Sequence, residues 1–399
     1  LKEARFVTDN SNVGPSPIGG GKTEAVKTYH AGTLTYTKAA LAVLIFWLFW
    51  GDVCYTVMEA VTGPIMQFKF QKLDASNTEI GLILITIPGL IYTCLNPIIS
   101  FQSDRFRSRW GRRIPFLVFS LPFLVFLLVC MAFGDRIGLW MGGHADFLRG
   151  ISPNQVAIMT LGLLLVLFSF FNTFANTTFW YLFNDVVPEP LLARFMSWFR
   201  MISMLSTSMY SFFIFPYSPT HSTEIFLGAA LLYLTGFGLM CYFVKEGEYP
   251  PPPPYIGGQT GPIAAIKSYG LETHAFSHYR YLWLASFFSR MGGGVAFTFN
   301  LYYLLAIGLS AQQIGIVNGS VYIVGSFCTP FAGWLADRYH PIRVVLVGAA
   351  IGTFAATPLG LIWIFWHPSN SIVFWVTLLV KFSWQALATR LAACGNHPC

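Results

Sequence analysis

The sequence predicts an all-α polytopic membrane protein. Apolar runs of roughly 20 residues recur along the chain, the length of helix that crosses the hydrocarbon core. Only 10% of the 399 residues are charged, against about 25% in an average soluble protein. The 38 Phe, 12 Trp and 11 Met ask for more cover than so few polar residues supply, which argues against an ordinary cytosolic enzyme. Isolated strands would leave backbone groups unpaired in lipid, and the runs lack the ten-residue dyad alternation of an outer-membrane barrel, so helices are the physical solution.

Residues 1–38, rich in Gly, Pro, Ser and Thr, read as a loosely attached cytoplasmic tail. The first apolar stretch starts near Ala39 and is too long for a signal-peptide core. Six spans follow, near 39–62, 79–100, 114–133, 156–180, 196–216 and 225–244, forming a first bundle over 39–244. Residues 245–280 contain five consecutive prolines, Pro250 to Pro254. A polyproline run cannot continue a helix and extends as a stiff spacer, so this segment reads as a linker. Four more spans, near 281–305, 312–335, 343–366 and 371–389, form a second bundle over 281–389, and residues 390–399 form an atypical tail.

The net charge of +7 raises the question of nucleic acid, but the basic residues sit in short clusters between apolar runs, and no nucleic-acid partner is expected. With the N-terminus cytoplasmic, the partition leaves Lys69, Lys72, Arg136 and Arg149 outside and treats Arg290 and Lys381 as the basic residues at membrane depth. That asymmetry follows the positive-inside rule. The seven cysteines show no metal-ligand spacing, and neither a disulfide framework, a metal nor a cofactor is expected.

An internal repeat divides the chain. Pro97, Asp104 and Arg105 are matched by Pro330, Asp337 and Arg338 at a constant offset of 233 residues. Repeats of this kind, related by an axis along the membrane normal, occur in transporters. The first loop reads Ser100-Phe101-Gln102-Ser103-Asp104-Arg105-Phe106-Arg107-Ser108-Arg109-Trp110-Gly111-Arg112-Arg113 and resembles the cytoplasmic G-x-x-x-D-R-x-x-G-R-R motif of the major facilitator superfamily, with Ser100 for the first glycine and extra residues before Gly111. The second copy, from Gly333 to Arg343, keeps the first glycine and is otherwise degenerate. Arg112-Arg113-Ile114-Pro115-Phe116, with Trp180-Tyr181-Leu182-Phe183-Asn184-Asp185-Val186-Val187-Pro188, is more similar to the sugar and proton symporter branch, which includes sucrose and glycoside-cation symporters.

The resemblance implies major-facilitator-type helical bundles with 12 helices, of which ten are recognised here, so the C-terminal side is expected to be incomplete. It implies a multi-pass protein of the plasma membrane, the inner membrane in a bacterium, acting as a monomer on a small solute. Asp104 and Asp337 can accept hydrogen bonds from the amides that open the next helix and pair with nearby arginines. With Arg105, Arg112, Arg113 and Arg338 they form an expected gate that holds one state and releases in the other.

At membrane depth, Asp52 and Glu59 lie at i and i+7 on one helical face. Ionised carboxylates there are costly, so the face must meet a cavity or a partner, and either group can carry a proton. Arg290 can pair with them or bind sugar hydroxyls. The Gly292-Gly293-Gly294 run beside it suits local unwinding, and small-residue helix packing explains it equally well. Asn172 and Asn176 lie one turn apart in the fourth span, and Asn300 precedes Tyr302 and Tyr303 in the seventh. Hydroxylated solutes need such donors and acceptors. The expectation is secondary transport of a sugar or similar solute coupled to a proton or sodium ion, with no covalent chemistry. A facilitative uniporter and a nontransporting truncated protein are the alternatives. A lipid-acting enzyme is disfavoured, because the eight histidines form no convincing ligand set.

Overall fold

The computed structural model describes residues 29–144, 150–250, 277, 280, 281, 284, 299–306 and 308–338. The chain opens with an antiparallel hairpin, β1 (Tyr29–Ala31) and β2 (Leu34–Tyr36), pairing Tyr29 with Tyr36 and Ala31 with Leu34. Gly32 turns it with φ of +56°, a conformation costly for residues with a Cβ. The sequence reading extended the loose tail through residue 38. Residues 29–36 instead form this hairpin, because Tyr29 and Tyr36 pack on the apolar core and Ala31 is buried.

Thr37 caps α1 (Lys38–Lys72), its Oγ1 accepting from the Ala40 amide at 3.3 Å. At 1.5 Å per residue, its 35 residues reach beyond the expected span of 39–62. Lys69, expected in an outer loop, is buried within the helix: its Nζ donates to the carbonyls of Met131 and Ala132 at 3.1 and 2.8 Å and pairs with Asp135 at 2.6 Å. These partners compensate its charge, so the helix need not stop before it.

α2 (Asn77–Arg105) starts at a reciprocal capping box between Ser76 and Glu79 and carries a π-helical turn over Leu82–Thr86. α3 (Ile114–His144) and α4 (Pro153–Val186) follow. α5 (Glu189–Met209) continues through a π turn, Tyr210–Ile214, and a 3-10 turn, Phe215–Tyr217. α6 (Ser222–Phe243) completes the first bundle, and α7 (Ala311–Arg338) belongs to the second half of the chain.

Among the described residues, α1, α2, α3, α4 and α6 are long and apolar enough to cross a membrane. Five such helices are therefore seen where the sequence predicts ten spans. The fifth span, 196–216, lies within α5 and its continuation, which carries Arg194 and Arg200 and a polar face. The eighth, 312–335, corresponds to α7. The seventh lies mostly, and the ninth and tenth wholly, outside the described residues, as do residues 1–28, most of the linker and the 390–399 tail.

The core sits where α1, α4, α5 and α6 converge, around Leu48, Met58, Ile65, Phe179, Phe183, Phe199, Tyr233 and Phe237, all essentially buried. α3 packs along α4 and α6, α2 lies against α4, and α5 lies against α7. Two close approaches bring α6 onto α1. A Cβ on Gly236 would stand 2.3 Å from Cys54 Sγ, and one on Gly51 would stand 2.7 Å from Met240. These contacts fix the rotation of α1 and hence the direction of the polar residues between them.

Candidate functional site: a polar seam and an arginine cluster

α1 presents Asp52, Tyr55, Thr56 and Glu59 within two turns. Tyr55 is held from three sides, by Phe179 of α4 and by Tyr233 and Phe237 of α6, with ring centroids 5.7, 6.4 and 6.1 Å away. So oriented, its hydroxyl has one proton and two acceptors in reach, Glu59 Oε1 at 2.8 Å and Asn172 Oδ1 at 3.1 Å. Asn172 Nδ2 donates to the same Glu59 oxygen at 3.0 Å, and Asn176 Nδ2 donates to the Tyr55 hydroxyl at 2.9 Å. The i, i+4 spacing of Asn172 and Asn176 places both amides on the face of α4 turned to α1. Glu59 is exposed although it lies mid-helix. One residue further along α4, Thr177 donates to Asn96 of α2 at 2.7 Å.

Asp52 is 2% exposed. Its Oδ2 accepts from Ser203 of α5 at 2.6 Å and its Oδ1 from Thr56 at 3.3 Å. One turn from Ser203, Arg200 stacks on Trp180 of α4 at 4.5 Å, with its Nε buried and without a hydrogen-bond partner among the described residues. Its charge acts on Asp52. The charge partition read from the sequence passes over Arg200, placing only Arg290 and Lys381 at membrane depth. Arg200's place inside span 196–216 was the available signal.

Arg290, the expected partner of Asp52, lies outside the described residues. Asn300 is half-buried in the helical stretch 299–306, two residues before Tyr302. The Tyr302 hydroxyl donates to the Gln67 carbonyl at 2.8 Å. That contact sets Asn300 near the Lys72 end of α1, two turns or more beyond Glu59.

A second constellation lies at the Lys38 end. Arg113, 3% exposed, pairs with Asp104, donates to Ser103 Oγ and reaches Asp185 at 3.2 Å. Arg112 grips both oxygens of Asp185, with its Nε at 2.9 Å from Oδ2, and approaches Asp104 at 3.8 Å. Burial works against the Arg112 charge, but the hydrogen bonds and charge of Asp185 prevail and raise its pKa above the ordinary value. It therefore stays cationic at any physiological pH. Arg113 also lies 4.9 Å from the Tyr181 ring and Arg105 4.8 Å from the Phe101 ring.

Asp104 was expected to accept the amides that open the next helix. Glu246 takes that place: its carboxylate accepts from the backbone N–H of Arg112 at 2.9 Å, Arg113 at 2.8 Å and Ile114 at 2.6 Å. The physical reason is reach. The turn at Gly111, with φ of +105°, aims the three amides at residues 245–248 rather than back toward α2. Sequence reasoning missed both Asp185 and Glu246 as cluster members, although each lies in a segment it singled out. Asp337 has no described side chain, and Arg338 is exposed on α7. The described residues hold no group of three or more His, Cys, Asp or Glu suited to a metal.

The model of the Major Facilitator Superfamily matches residues 48–395. The chain belongs to the Major Facilitator Superfamily. This is a family of transporters, not of enzymes. Human solute carrier family 45 member 4 is 29% identical over 157 residues, which are 39% of this chain. The aligned part spans about a fifth, 19%, of that relative's length. Among solved structures, a bacterial homologue of the human lysosomal transporter Spinster, inward-facing and unoccupied, has a TM-score of 0.60 at 15% identity, over 90% of this chain and 76% of the other. A bacterial homologue of the iron transporter ferroportin, inward-facing, scores 0.56 at 14% identity, over 88% and 83%. The xylose transporter XylE from E. coli, partially occluded and inward open, scores 0.53 at 12% identity, over 89% and 86%. At these identities the likeness is one of fold, and it covers most of this superfamily member.

Proposed function

We propose that this protein is a secondary transporter that carries a small hydroxylated solute, a mono- or disaccharide, across the plasma membrane by alternating access, in symport with a proton or sodium ion. The observation that supports this reading above others is the seam of Glu59, Tyr55, Asn172 and Asn176, which offers both donors and acceptors at mid-helix depth. A carboxylate left open at that depth requires an aqueous cavity rather than lipid. Glu59 and the asparagines would meet the solute's hydroxyl groups, while Asp52, enclosed by Ser203 and Thr56, would take the coupling ion. Arg290 and Asn300 would contribute from the second half.

The structures of similar fold include a xylose transporter and a homologue of an iron transporter, so the choice of a sugar rests on the chemistry of the seam. In this reading the Lys38 end is cytoplasmic, in line with the basic cluster there. Asp104, Arg105, Arg112, Arg113, Asp337 and Arg338 form the inward gate, and the protein works as a monomer.

The test is uptake of labelled mono- and disaccharides by the full chain in liposomes carrying an inward proton or sodium gradient. Accumulation beyond equilibrium that collapses with a protonophore or on sodium removal is expected, and Asp52→Asn leaves equilibration without accumulation. Gradient-independent equilibration by the unaltered protein would mark a facilitator, and stable binding without flux would overturn transport altogether.

A further inference from the structure

The hairpin β1–β2 and residues 244–250 are far apart in sequence, yet they meet at the Lys38 end of the first bundle. The Glu248 amide donates to Thr33 Oγ1 at 2.9 Å, and that hydroxyl donates back to the Glu248 carbonyl at 3.4 Å. Gly247 sits so close beneath the hairpin turn that a Cβ there would stand 2.7 Å from Thr33 Oγ1 and 3.3 Å from Leu34. The same short run carries Glu246 onto the amides of Arg112, Arg113 and Ile114. Tyr249 donates to Glu246 at 3.2 Å, and its ring lies under Arg112 at 4.3 Å and Arg107 at 5.6 Å. Burial, with the carboxylates of Asp185 and Glu246 nearby, pushes the Tyr249 phenol above its ordinary value, so it remains a neutral donor. Arg107 Nε then donates to the Pro250 carbonyl at 3.0 Å. Each residue from Glu246 to Pro250 is thus fastened on one side to the hairpin or on the other to the arginine loop.

We propose that the hairpin is a strap: it clamps residues 246–250 across the start of α3, and the clamp must lift for Arg112 and Arg113 to leave Asp104 and Asp185. The part of this inference that concerns movement rests on the arginine cluster acting as a gate. The mechanical part stands on its own. The hairpin is short and largely exposed, with Tyr29 and Tyr36 packed on the core, Ala31 buried and Thr33 bonded to Glu248, which suits an element that detaches and returns. Its position, directly before α1 and against the residues that follow α6, joins the two ends of the first bundle's described helices.

Hydrogen exchange on the full chain in nanodiscs reads the clamp through the amides of Arg112, Arg113 and Ile114. Thr33→Val keeps the shape of the side chain and removes both contacts with Glu248, and exchange at those amides should rise about fivefold, the loss expected of one net hydrogen bond. Glu246→Gln should raise it at least as much. Acceleration in Glu246→Gln but not in Thr33→Val would overturn the strap and leave only a local cap on α3. A second variant, Thr33→Cys with Gly247→Cys, closes the strap by a disulfide under oxidation. Slower uptake that recovers on reduction is expected, whereas equal uptake in both forms would overturn the lifting step. If the unaltered protein moves no solute at all, the transport reading fails while the exchange experiment still decides the clamp.

Discussion

Tyr55 shows how one side chain ties two helices and a candidate site together. Its hydroxyl shares one proton between Glu59 and Asn172 and accepts from Asn176, so Tyr55→Phe leaves two polar groups short of a partner. The expected cost is about 1–3 kcal/mol, read as a fall of roughly 2–6 °C in apparent melting temperature. The variant should also weaken solute binding more than Thr93→Val, whose hydroxyl bonds to the Gly89 carbonyl of its own helix. At Gly111 the backbone itself is the constraint. Alanine there would strain φ and bring its Cβ to 2.5 Å from Glu246, so Gly111→Ala should destabilise by about 1–3 kcal/mol. Gly143→Ala, which meets no atom within 4 Å, is the matched control and should be neutral or stabilising.

Among the helices, α3 and α4 are the most intimate pair, and glycine is the reason. A Cβ on Gly138 would stand 2.4 Å from Ala157 Cα, and one on Gly142 would stand 2.7 Å from Pro153 Cα. Backbone atoms cannot yield as a side chain can, so Gly138→Leu should force the helices apart, and chromatography in detergent should show aggregated rather than monodisperse protein. Asp185, near the end of α4, does related work electrostatically. It is the shared acceptor for Arg112 and Arg113, and Asp185→Asn strands part of that charge. Because Arg112 retains some contact with solvent, the expected loss is about 1–3 kcal/mol rather than the larger figure for a fully buried pair. Thermal unfolding at low and high salt would measure it.

At the scale of the molecule, the halves meet through α5 and α7 as well as through the Tyr302 bond to Gln67 of α1. Ser208 Oγ donates to the Gly319 carbonyl at 2.8 Å, and Cβ atoms on Gly319 and Gly315 would meet Phe212 and the Ser211 carbonyl at 2.6 and 2.5 Å. Gly319→Val should therefore disturb the join without touching the seam. Limited proteolysis is expected to cut between the halves faster while solute binding to the first bundle persists, and an unchanged digestion pattern would count against this contact as the join. The repeat is visible in the helices themselves, since Arg105 of α2 and Arg338 of α7 are both helical and separated by the offset of 233 residues.

The sequence alone determined the medium, the helical class, the rough positions of the first six helices, and the pairing of Asn172 with Asn176 on one face. Those properties follow from residue type and a period of 3.6, which are local. It also singled out Asp52, Glu59, Asp104, Arg112 and Arg113, because charges beside or within apolar runs are conspicuous in one dimension. Only the tertiary structure decided their partners. Asp52 meets Ser203 across 151 residues and Glu246 meets Arg112 across 134, pairings set by how α5 and the end of α6 pack on their neighbours. For the same reason α1 runs past residue 62 with Lys69 inside it, and residues 29–36 fold as a hairpin rather than trailing away: in both places a remote carbonyl, carboxylate or apolar surface supplies what the local sequence lacks.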